Sequence, residues 1–175
     1  MRQELRLSGT GGQGLILAGI ILAEAALLDG KLAIQSQSYG PEARGGSSKA
    51  EVIISDEAIH FPKVTEPNVL LAMSQEAMNK YSKDLLPESV IVTDSLFVSQ
   101  LPAHEGKIYE LPITHTAKDV LGKALFSNII ALGALVKLTG IVSYESLEKA
   151  VLNRVPKGTE DVNRKALEIG MSLIK

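Results

Sequence analysis

A glycine-rich run, GTGGQG, occupies residues 9–14 of this 175-residue chain. It lies between a short extended stretch at residues 4–8 and a long apolar stretch at residues 15–28. A glycine turn from strand to helix lets backbone N–H groups approach a phosphate and directs the positive end of the helix dipole at it. The run therefore predicts a Rossmann-like turn that binds a phosphorylated ligand. The alternative is a tight turn whose glycines only allow the helix to pack against the strand.

Short β-branched runs alternate along the chain with longer helical ones, which is typical of a mostly parallel sheet with helices on both faces. We predict a three-layer α/β/α fold with about six strands and a helix-rich C-terminal third. The predicted strands cover residues 4–8, 32–36, 50–54, 68–73, 90–93 and 107–111, and the predicted helices cover residues 13–28, 75–85, 117–138, 144–153 and 160–174. The stretch at residues 126–138 is apolar almost all round and predicts a helix packed on most sides. No linker or repeat divides the sequence, so we expect residues 1–175 to form a single domain.

The composition excludes several kinds of chemistry. The chain has no Cys, so it can supply neither a thiolate nucleophile nor a cysteine-ligated zinc or iron–sulfur site. Its three His residues are far apart in sequence, and we expect no metal site. A formal net charge of −2 and the lack of a basic block indicate neither a nucleic-acid partner nor an anionic membrane.

The apolar window at residues 15–28 does not predict a membrane segment. It is too short for a bilayer span and contains Glu24. It also follows a glycine turn and not the basic segment of a signal peptide. We therefore expect a cytoplasmic protein that does not bind a membrane.

Gly9, Gly11 and Gly14 match the GxGxxG pattern of dinucleotide-binding turns. In an NAD-binding unit, an acidic residue at the end of the second strand, about 20 residues further on, binds the ribose hydroxyls. The corresponding residues 33–38 read AIQSQS and contain no acid. Two alternatives stay open: a stand-alone NAD(P)-dependent oxidoreductase and a stand-alone nucleotide-binding module. The missing acid argues against the first of these.

A second unusual segment, SYGPEARGG, follows the predicted second strand at residues 38–46. It is longer than a minimal connection, and it should emerge at the sheet edge where the glycine turn opens and where ligands bind. Arg44 could pair with a phosphate or a carboxylate, while Gly45 and Gly46 would let the backbone come close. The alternative is a surface ion pair between Arg44 and Glu42.

Four further polar residues fit structural roles. Asp94 ends the predicted fifth strand, and Ser55 and Asp56 follow the third, so we expect caps or turns at these positions. Asn128 lies in an apolar helix, and we expect its hydrogen-bond partners to be backbone groups of a neighbouring loop. The sequence contains no P-loop lysine, no nucleophile elbow and no evident acid–base pair, so we assign no catalytic residue.

Taken together, these segments resemble the gamma subunit, or gamma domain, of the 2-oxoacid:ferredoxin oxidoreductases. GTGGQG at residues 9–14, SYGPEARGG at residues 38–46, the Ser55-Asp56 step and NIIALG at residues 128–133 are similar to that family's segments in the same order. The resemblance extends from Leu5 to about Gly170. Among the branches of the family, the sequence is most similar in character to the 2-oxoglutarate enzymes.

The resemblance implies an activity that is shared among several chains. Family members decarboxylate a 2-oxoacid on thiamine diphosphate, transfer the acyl group to coenzyme A and pass two electrons through iron–sulfur clusters to ferredoxin. It implies that alpha and beta subunits, and in some enzymes a delta subunit, carry the thiamine diphosphate and the clusters. The gamma chain would hold no cofactor by itself and would contact coenzyme A. In isolation it should be inactive and could self-associate.

The resemblance also implies which residues face the ligand and the partner chains. They are the members of the two glycine-containing segments: Gly9, Gly11, Gly12, Gln13, Gly14, Ser38, Tyr39, Gly40, Glu42, Arg44, Gly45 and Gly46. Arg44 is the first choice for a coenzyme A phosphate or for an ion pair between subunits, with Gln13 and Tyr39 as secondary contacts. Ligand contact and interface contact stay open as alternatives, because both favour Arg, Tyr and Gly.

Overall fold

Strands and helices follow one another in the predicted alternation. The computed structural model describes residues 1–38 and 46–175. In chain order the elements are β1 (Arg2–Thr10), α1 (Leu15–Leu28), β2 (Leu32–Gln37), β3 (Ser47–Ser55), β4 (Val69–Ala72), α2 (Gln75–Tyr81), β5 (Val90–Asp94), β6 (Ile108–Leu111), α3 (Ile113–Leu121), a 3-10 turn (Ala124–Phe126), α4 (Ser127–Thr139), α5 (Tyr144–Arg154) and α6 (Glu160–Ser172). Each predicted strand coincides with an observed one, so the predicted α/β class is confirmed.

The strands form a six-stranded sheet in the order β2-β3-β1-β4-β5-β6. β1, β4, β5 and β6 pair in parallel, whereas β3 pairs antiparallel with both β1 and β2. Five of these six strands therefore share one direction, which confirms the expectation of a mostly parallel sheet. Only nine residues separate β2 from β3, fewer than a crossover between parallel strands requires, and the two strands pair antiparallel.

The two faces of the sheet are covered unequally. Leu5 and Leu7 of β1 belong to the larger core, which packs against α1 and α4. On the other face, Leu70 of β4 and Ile91 of β5 pack against α2 in a smaller core. Because side chains alternate between faces along a strand, one sheet serves both cores. The predicted three layers are present, with α2 in the thinner one.

A buried cation lies between the sheet and the thinner layer. Arg6 of β1 is 4% exposed and donates hydrogen bonds to Glu51 on β3 and to Asp84 after α2. Burial lowers the pKa of Arg6, but hydrogen bonds to the two acids outweigh this effect and raise the pKa overall. A buried charge needs such partners. Arg6 therefore links β1 and β3 to the segment that follows α2.

The predicted helix at residues 117–138 is in fact two helices, so this boundary prediction is wrong. Gly122 ends α3 in the left-handed region, with φ 77°, and its N–H donates to the carbonyl of Lys118. A glycine in this conformation is a common helix terminus, and the 3-10 turn then redirects the chain into α4. α3 also begins earlier than predicted, at Ile113, directly after Pro112.

Two other helix ends differ from the prediction for tertiary reasons. α1 begins at Leu15 and not at residue 13, because the side chain of Gln13 is used to close the turn before the helix. α2 ends at Tyr81 and not at residue 85. Beyond Tyr81 the chain turns so that Asp84 reaches Arg6, and this contact competes with continuation of the helix.

α4 lies inside the larger core. Ten consecutive residues, Ser127 to Val136, are buried, which confirms that this helix is packed on most sides. It packs against α6, and the two backbones approach closely at Gly133 and Gly170. Over residues 1–38 and 46–175, the helices are all too short or too polar to cross a membrane.

Candidate functional site

The candidate site lies at the edge of the sheet formed by the carboxyl ends of the parallel strands. β2 and β3 lie on one side of β1, and β4, β5 and β6 lie on the other. The strands that follow β1 in the chain thus lie first on one side of it and then, from β4 onward, on the other. In open α/β sheets ligands bind at such a switch point, which here lies between β1 and β4. The glycine turn starts at the carboxyl end of β1, next to that point.

The glycine turn has the backbone that the sequence predicts. Gly12 and Gly14 have φ values of 91° and 75°, which other L-residues adopt only with strain. Gly14 precedes the first residue of α1 and provides no capping side chain. The N–H groups of the first helical turn, which begins at Leu15, have no partner within the helix and are available to solvent or to an anion.

Gly9 is needed for close packing. A Cβ atom at Gly9 would lie 2.2 Å from Oε1 of Gln13 and 3.0 Å from Cβ of Met73. The space that a side chain would fill is thus taken by Gln13. The lack of a side chain at Gly9 therefore leaves room for Gln13 to close the turn. Contact of Gly9 with a ligand stays a prediction.

Gln13 spans the crevice between β1 and β4. Its Oε1 accepts a hydrogen bond from the N–H of Thr10 at 2.7 Å, and its Nε2 donates to the carbonyl of Met73 at 3.1 Å. Met73 directly follows β4, so the side chain joins the ends of both strands. In a dinucleotide-binding fold the phosphates occupy this crevice. Contact of Gln13 with a ligand remains a prediction, and any such contact must coexist with these two bonds.

The strand order gives a second reason against a dinucleotide site. In an NAD-binding fold the second strand lies beside the first and brings its acid to the ribose. Here β3 lies between β1 and β2, so the end of β2 is about 10 Å from β1, or two strand spacings. Both the missing acid at residues 33–38 and the strand between β1 and β2 therefore argue against a dinucleotide site.

Asn128 connects α4 to the glycine turn. The residue is 6% exposed, and its Nδ2 donates to the carbonyl of Gly14 at 3.1 Å. Its Oδ1 accepts from the N–H of Ile129 at 2.9 Å. The expectation that a neighbouring loop's backbone satisfies Asn128 is confirmed, and that loop is the glycine turn.

The second predicted segment has its two ends at the same edge. The N–H of Ser38 donates to the carbonyl of Lys49 at 3.1 Å, and the N–H of Gly11 donates to the carbonyl of Gly46 at 3.4 Å. Gly46 is thus a direct neighbour of the glycine turn. The remaining predicted contacts of this segment lie outside the described residues: Tyr39, Gly40, Glu42, Arg44 and Gly45.

Two clefts flank the glycine turn and share Gly12. The first, the Ser48 cleft, has a volume of about 250 Å³ and is lined by Thr10, Gly11, Gly12, Gly14, Leu15, Ile16 and Ser48. The second, the Phe97 cleft, has a volume of about 210 Å³, and its lining includes Gly12, Gln13, Phe97, Thr114, Lys118 and Ser127. Lys118 is the one charged residue that lines either cleft in the described part of the chain.

A buried polar network forms the floor of the Phe97 cleft. Asp94 is fully buried and accepts hydrogen bonds from both the N–H and the hydroxyl of Thr114 at the start of α3. Its other oxygen accepts from the N–H of Leu96 at 3.1 Å. The hydroxyl of Ser127 lies 3.0 Å from that of Thr114. Asp94 is therefore a turn former and helix cap, as expected.

Four residues that line the Phe97 cleft carry no functional signal in the sequence: Phe97, Thr114, Lys118 and Ser127. Thr114 lies before the predicted start of the third helix, so it was not predicted to be helical. Ser127 and Lys118 were predicted inside one continuous helix, and only the break at Gly122 brings their two helices together around a cleft. The proline at residue 112 was the one local signal for an earlier helix start.

Ser55 and Asp56 lie at the opposite edge of the sheet. Ser55 pairs with Arg2 at the amino end of β1, and its hydroxyl accepts from the N–H of Glu57 at 3.0 Å. The carboxylate of Asp56 lies 2.9 Å from the N-terminal ammonium. The expectation of a turn is confirmed, and these residues do not contribute to the candidate site.

The acids with shifted pKa values are also structural. Burial raises the pKa of Glu4, but hydrogen bonds from the N–H of Glu66, from Arg2 and from the N–H of Thr65 outweigh it and lower the pKa. Glu4 lies near the amino end of β1, away from both clefts. Within residues 1–38 and 46–175, no group of His, Asp and Glu side chains is arranged to hold a metal ion.

Known proteins resemble this chain over nearly its whole length. The profile of the family described as POR, pyruvate ferredoxin/flavodoxin oxidoreductase, matches residues 4–173. The 2-oxoglutarate synthase subunit KorC of Methanocaldococcus jannaschii is 51% identical, over 100% of this chain and 95% of that protein. The pyruvate synthase subunit PorC of Thermotoga maritima is 32% identical, over 98% of this chain and 94% of that protein.

Solved structures share the fold. The gamma subunit of a keto/oxoacid ferredoxin oxidoreductase from Geobacter sulfurreducens superimposes with a TM-score of 0.92 at 51% identity, over 99% of this chain and 96% of that one. A 2-oxoglutarate:ferredoxin oxidoreductase from Magnetococcus marinus, solved with 2-oxoglutarate, coenzyme A and succinyl-CoA bound, gives a TM-score of 0.88 at 26% identity. That match covers 98% of this chain and 31% of the larger one. The chain therefore belongs to the pyruvate ferredoxin/flavodoxin oxidoreductase family and corresponds to the gamma subunit of a 2-oxoacid:ferredoxin oxidoreductase.

Proposed function

We propose that this chain is the gamma subunit of a 2-oxoglutarate:ferredoxin oxidoreductase and that residues 1–175 act there as one domain. The choice of 2-oxoacid is supported by four relatives named as 2-oxoglutarate synthase subunits, which are 41% to 51% identical. Relatives named for pyruvate or ketoisovalerate are 30% to 32% identical. A self-sufficient NAD(P)-dependent enzyme or a separate nucleotide-binding module has no comparable support.

The overall reaction consumes a 2-oxoacid and coenzyme A and yields an acyl-coenzyme A and CO₂. The two electrons released pass to ferredoxin. Thiamine diphosphate and the iron–sulfur clusters belong in this proposal to alpha and beta subunits, with a delta subunit as a further candidate. The absence of Cys supports this division, because cluster ligation by thiolates is impossible here.

The part played by this chain is to receive coenzyme A at the carboxyl edge of the sheet. The observation that carries this proposal is the position of the glycine turn at the switch point, between two clefts and at the start of α1. Unpaired N–H groups of a helix start and the ammonium of Lys118 are suitable partners for phosphate groups. Arg44, in the segment at residues 38–46, is proposed as a further phosphate contact or as a cross-subunit ion pair.

The test requires the assembled enzyme. This chain is co-expressed with its partner subunits, and reduction of ferredoxin is followed with 2-oxoglutarate, pyruvate or 2-ketoisovalerate in the presence and absence of coenzyme A. We expect a complex whose coenzyme A-dependent turnover is fastest with 2-oxoglutarate. Failure to assemble with thiamine-binding partners would refute the gamma-subunit role, and preference for another 2-oxoacid would refute the substrate.

Arg44→Ala tests the segment at residues 38–46 in the same complex. Loss of a charge-assisted contact should raise the KM for coenzyme A or weaken assembly by about tenfold, the effect of about 1.4 kcal/mol. Arg164→Ala is the control, because this arginine lies on α6 and pairs with Glu148 at the surface. If both variants assemble and form acyl-coenzyme A like the wild type, Arg44 has neither role.

A further inference from the structure

Asn128 lies where it can control the backbone of the glycine turn. It is on the first turn of α4, 114 residues away from Gly14 in sequence, and its side chain is 6% exposed. Its Nδ2 donates to the carbonyl of Gly14 at 3.1 Å. A Cβ atom at Gly14 would lie only 2.5 Å from that Nδ2, so the two residues are in direct contact.

The carbonyl that Asn128 holds belongs to the peptide that starts α1. This peptide joins Gly14 to Leu15, and because a peptide unit is planar, its C=O and N–H point in opposite directions. Fixing the carbonyl therefore fixes the N–H of Leu15. Both Gly14 and Leu15 line the Ser48 cleft, and this N–H belongs to the first helical turn, which has no intrahelical acceptor.

The same hydrogen bond affects the strength of that donor. A hydrogen bond to the carbonyl of a peptide polarises the unit and makes its N–H a better donor in a water-poor site. The Gly14 carbonyl also accepts from the N–H of Ala18 at 3.0 Å, so two donors act on one peptide. The arrangement orients and strengthens the first N–H of α1.

We propose that Asn128 is a positioning residue for the coenzyme A step, which acts by holding the Gly14–Leu15 peptide with its N–H toward a phosphate of the co-substrate. This inference rests on the proposed function, in which the glycine turn receives coenzyme A. Gln13 holds the other end of the turn through Thr10 and Met73. Asn128 and Gln13 thus fix the turn from two sides.

The experiment replaces Asn128 by Ala in the assembled enzyme and measures steady-state kinetics. We expect the KM for coenzyme A to rise by about tenfold, the size of a weakened charge-assisted contact. Turnover at saturating coenzyme A and the KM for the 2-oxoacid should stay within about twofold of the wild type, because Asn128 does not touch the reacting atoms.

The matched control is Asn163→Ala. Asn163 is 4% exposed on α6, and its Nδ2 donates to the backbone carbonyl of Thr159 at 2.8 Å. It is therefore a buried asparagine with the same kind of bond. Asn163 lines neither cleft, and its side chain donates to Thr159 at the start of its own helix. This variant should lose stability without a change in the KM for coenzyme A.

A second variant, Asn128→Asp, covers the case in which the alanine variant does not fold. The aspartate keeps an oxygen for the N–H of Ile129, but it replaces the donor to Gly14 with a carboxylate oxygen that repels the Gly14 carbonyl. The KM for coenzyme A should again rise.

Gly12→Ala distinguishes failure of the role of Asn128 from failure of the proposal that the glycine turn receives coenzyme A. Gly12 lines both clefts, and a Cβ there would meet no atom within 4 Å, so the variant perturbs the turn through its added methyl group and through backbone strain at a φ of 91°. If Gly12→Ala raises the KM for coenzyme A and both Asn128 variants leave it unchanged, the role of Asn128 is refuted. If Gly12→Ala leaves the KM unchanged as well, the turn does not receive coenzyme A and both proposals fail.

Discussion

Single side-chain contacts between distant parts of the chain fix the geometry of the glycine turn. The turn itself is a local signal, because glycines between a strand and a helix need no distant residue to be recognised. Gln13 reaches Met73, which is 60 residues away, and Asn128 reaches Gly14, which is 114 residues away. Contacts at such separations depend on the strand order, and no pattern along the chain encodes that order directly.

Asp29 is a second residue whose role depends on a distant partner. It follows α1, and its carboxylate accepts hydrogen bonds from the N–H and hydroxyl of Ser143 and from the hydroxyl of Ser146. The hydroxyl of Ser143 caps α5 by accepting from the N–H of Ser146 at 3.2 Å. Asp29 thus places a negative charge at the positive end of α5.

We predict that Asp29→Asn weakens folding in a pH-dependent way. Burial raises the pKa of Asp29, but the hydrogen bonds from Ser146 and Ser143 outweigh it, so the folded pKa lies below its ordinary value. The stabilisation is therefore complete above the unfolded pKa of about 3.9 and is lost as pH falls through the folded pKa. At pH 7 the variant should lose about 1 kcal/mol, because Asp29 is partly exposed and its charge is screened.

Urea unfolding of the isolated chain, followed by circular dichroism at pH 7 and below pH 4, measures this difference. The gap between wild type and Asp29→Asn should narrow in acid. Asp161→Asn is the control, since the Asp161 carboxylate is fully exposed beside Arg164. A gap that keeps its size across this pH range would contradict the assigned role of the Asp29 charge.

At the scale of elements, the strands were predictable and some helix ends were not. Each strand is a short run of β-branched or apolar residues, and this local pattern sufficed to locate it. The reversal of β3 was not predicted, because its alternation does not encode direction. The prediction of one helix at residues 117–138 was wrong. A single glycine within an apolar helical pattern is compatible with an unbroken helix, and only the φ of Gly122 shows that the helix ends there.

Two glycines at helices illustrate why the same substitution has different costs. At Gly122, a Cβ would meet no atom within 4 Å, and the cost of Ala comes only from a φ of 77°. At Gly170 of α6, a Cβ would lie 2.0 Å from the carbonyl oxygen of Ile130 on α4. The second glycine therefore sets the distance between the two helices, and the first sets the end of one helix.

We predict that Gly170→Ala is the more destabilising variant. Gly122→Ala should cost about 1 kcal/mol from backbone strain. Gly170→Ala should cost about 2 kcal/mol or more, because moving two packed helices apart outweighs the gain of up to about 1 kcal/mol in helix propensity. Both changes restrict the unfolded chain equally, so each is the other's control. Equal midpoints in guanidinium unfolding would show that the α4–α6 contact relaxes freely.

At the scale of the whole molecule, the proposed function requires the carboxyl edge of the sheet to face other chains. Coenzyme A has to meet an acyl group that, in the proposed function, forms on a partner subunit. The clefts that flank the glycine turn therefore have to open toward that subunit. Apolar side chains are exposed at this same edge: Phe97 is 45% exposed and Leu125 is 72% exposed, and both line the Phe97 cleft. The sequence did not reveal this grouping, because the two residues come from different connections.

We predict that Leu125→Asp impairs assembly with the partner subunits and leaves the isolated fold intact. A side chain that is 72% exposed contributes little to the core, so unfolding free energy should change by less than about 0.5 kcal/mol. In the complex, a buried unpaired carboxylate would be costly, and co-purification with partners should fall by about tenfold or more. Leu27→Asp is the matched control, since Leu27 is 58% exposed near the end of α1, away from the glycine turn. Loss of assembly in the Leu27 variant alone would place the interface at the opposite edge. Normal assembly of both variants would mean that neither leucine is covered, and the carboxyl edge would then receive coenzyme A without burying Leu125 against another chain.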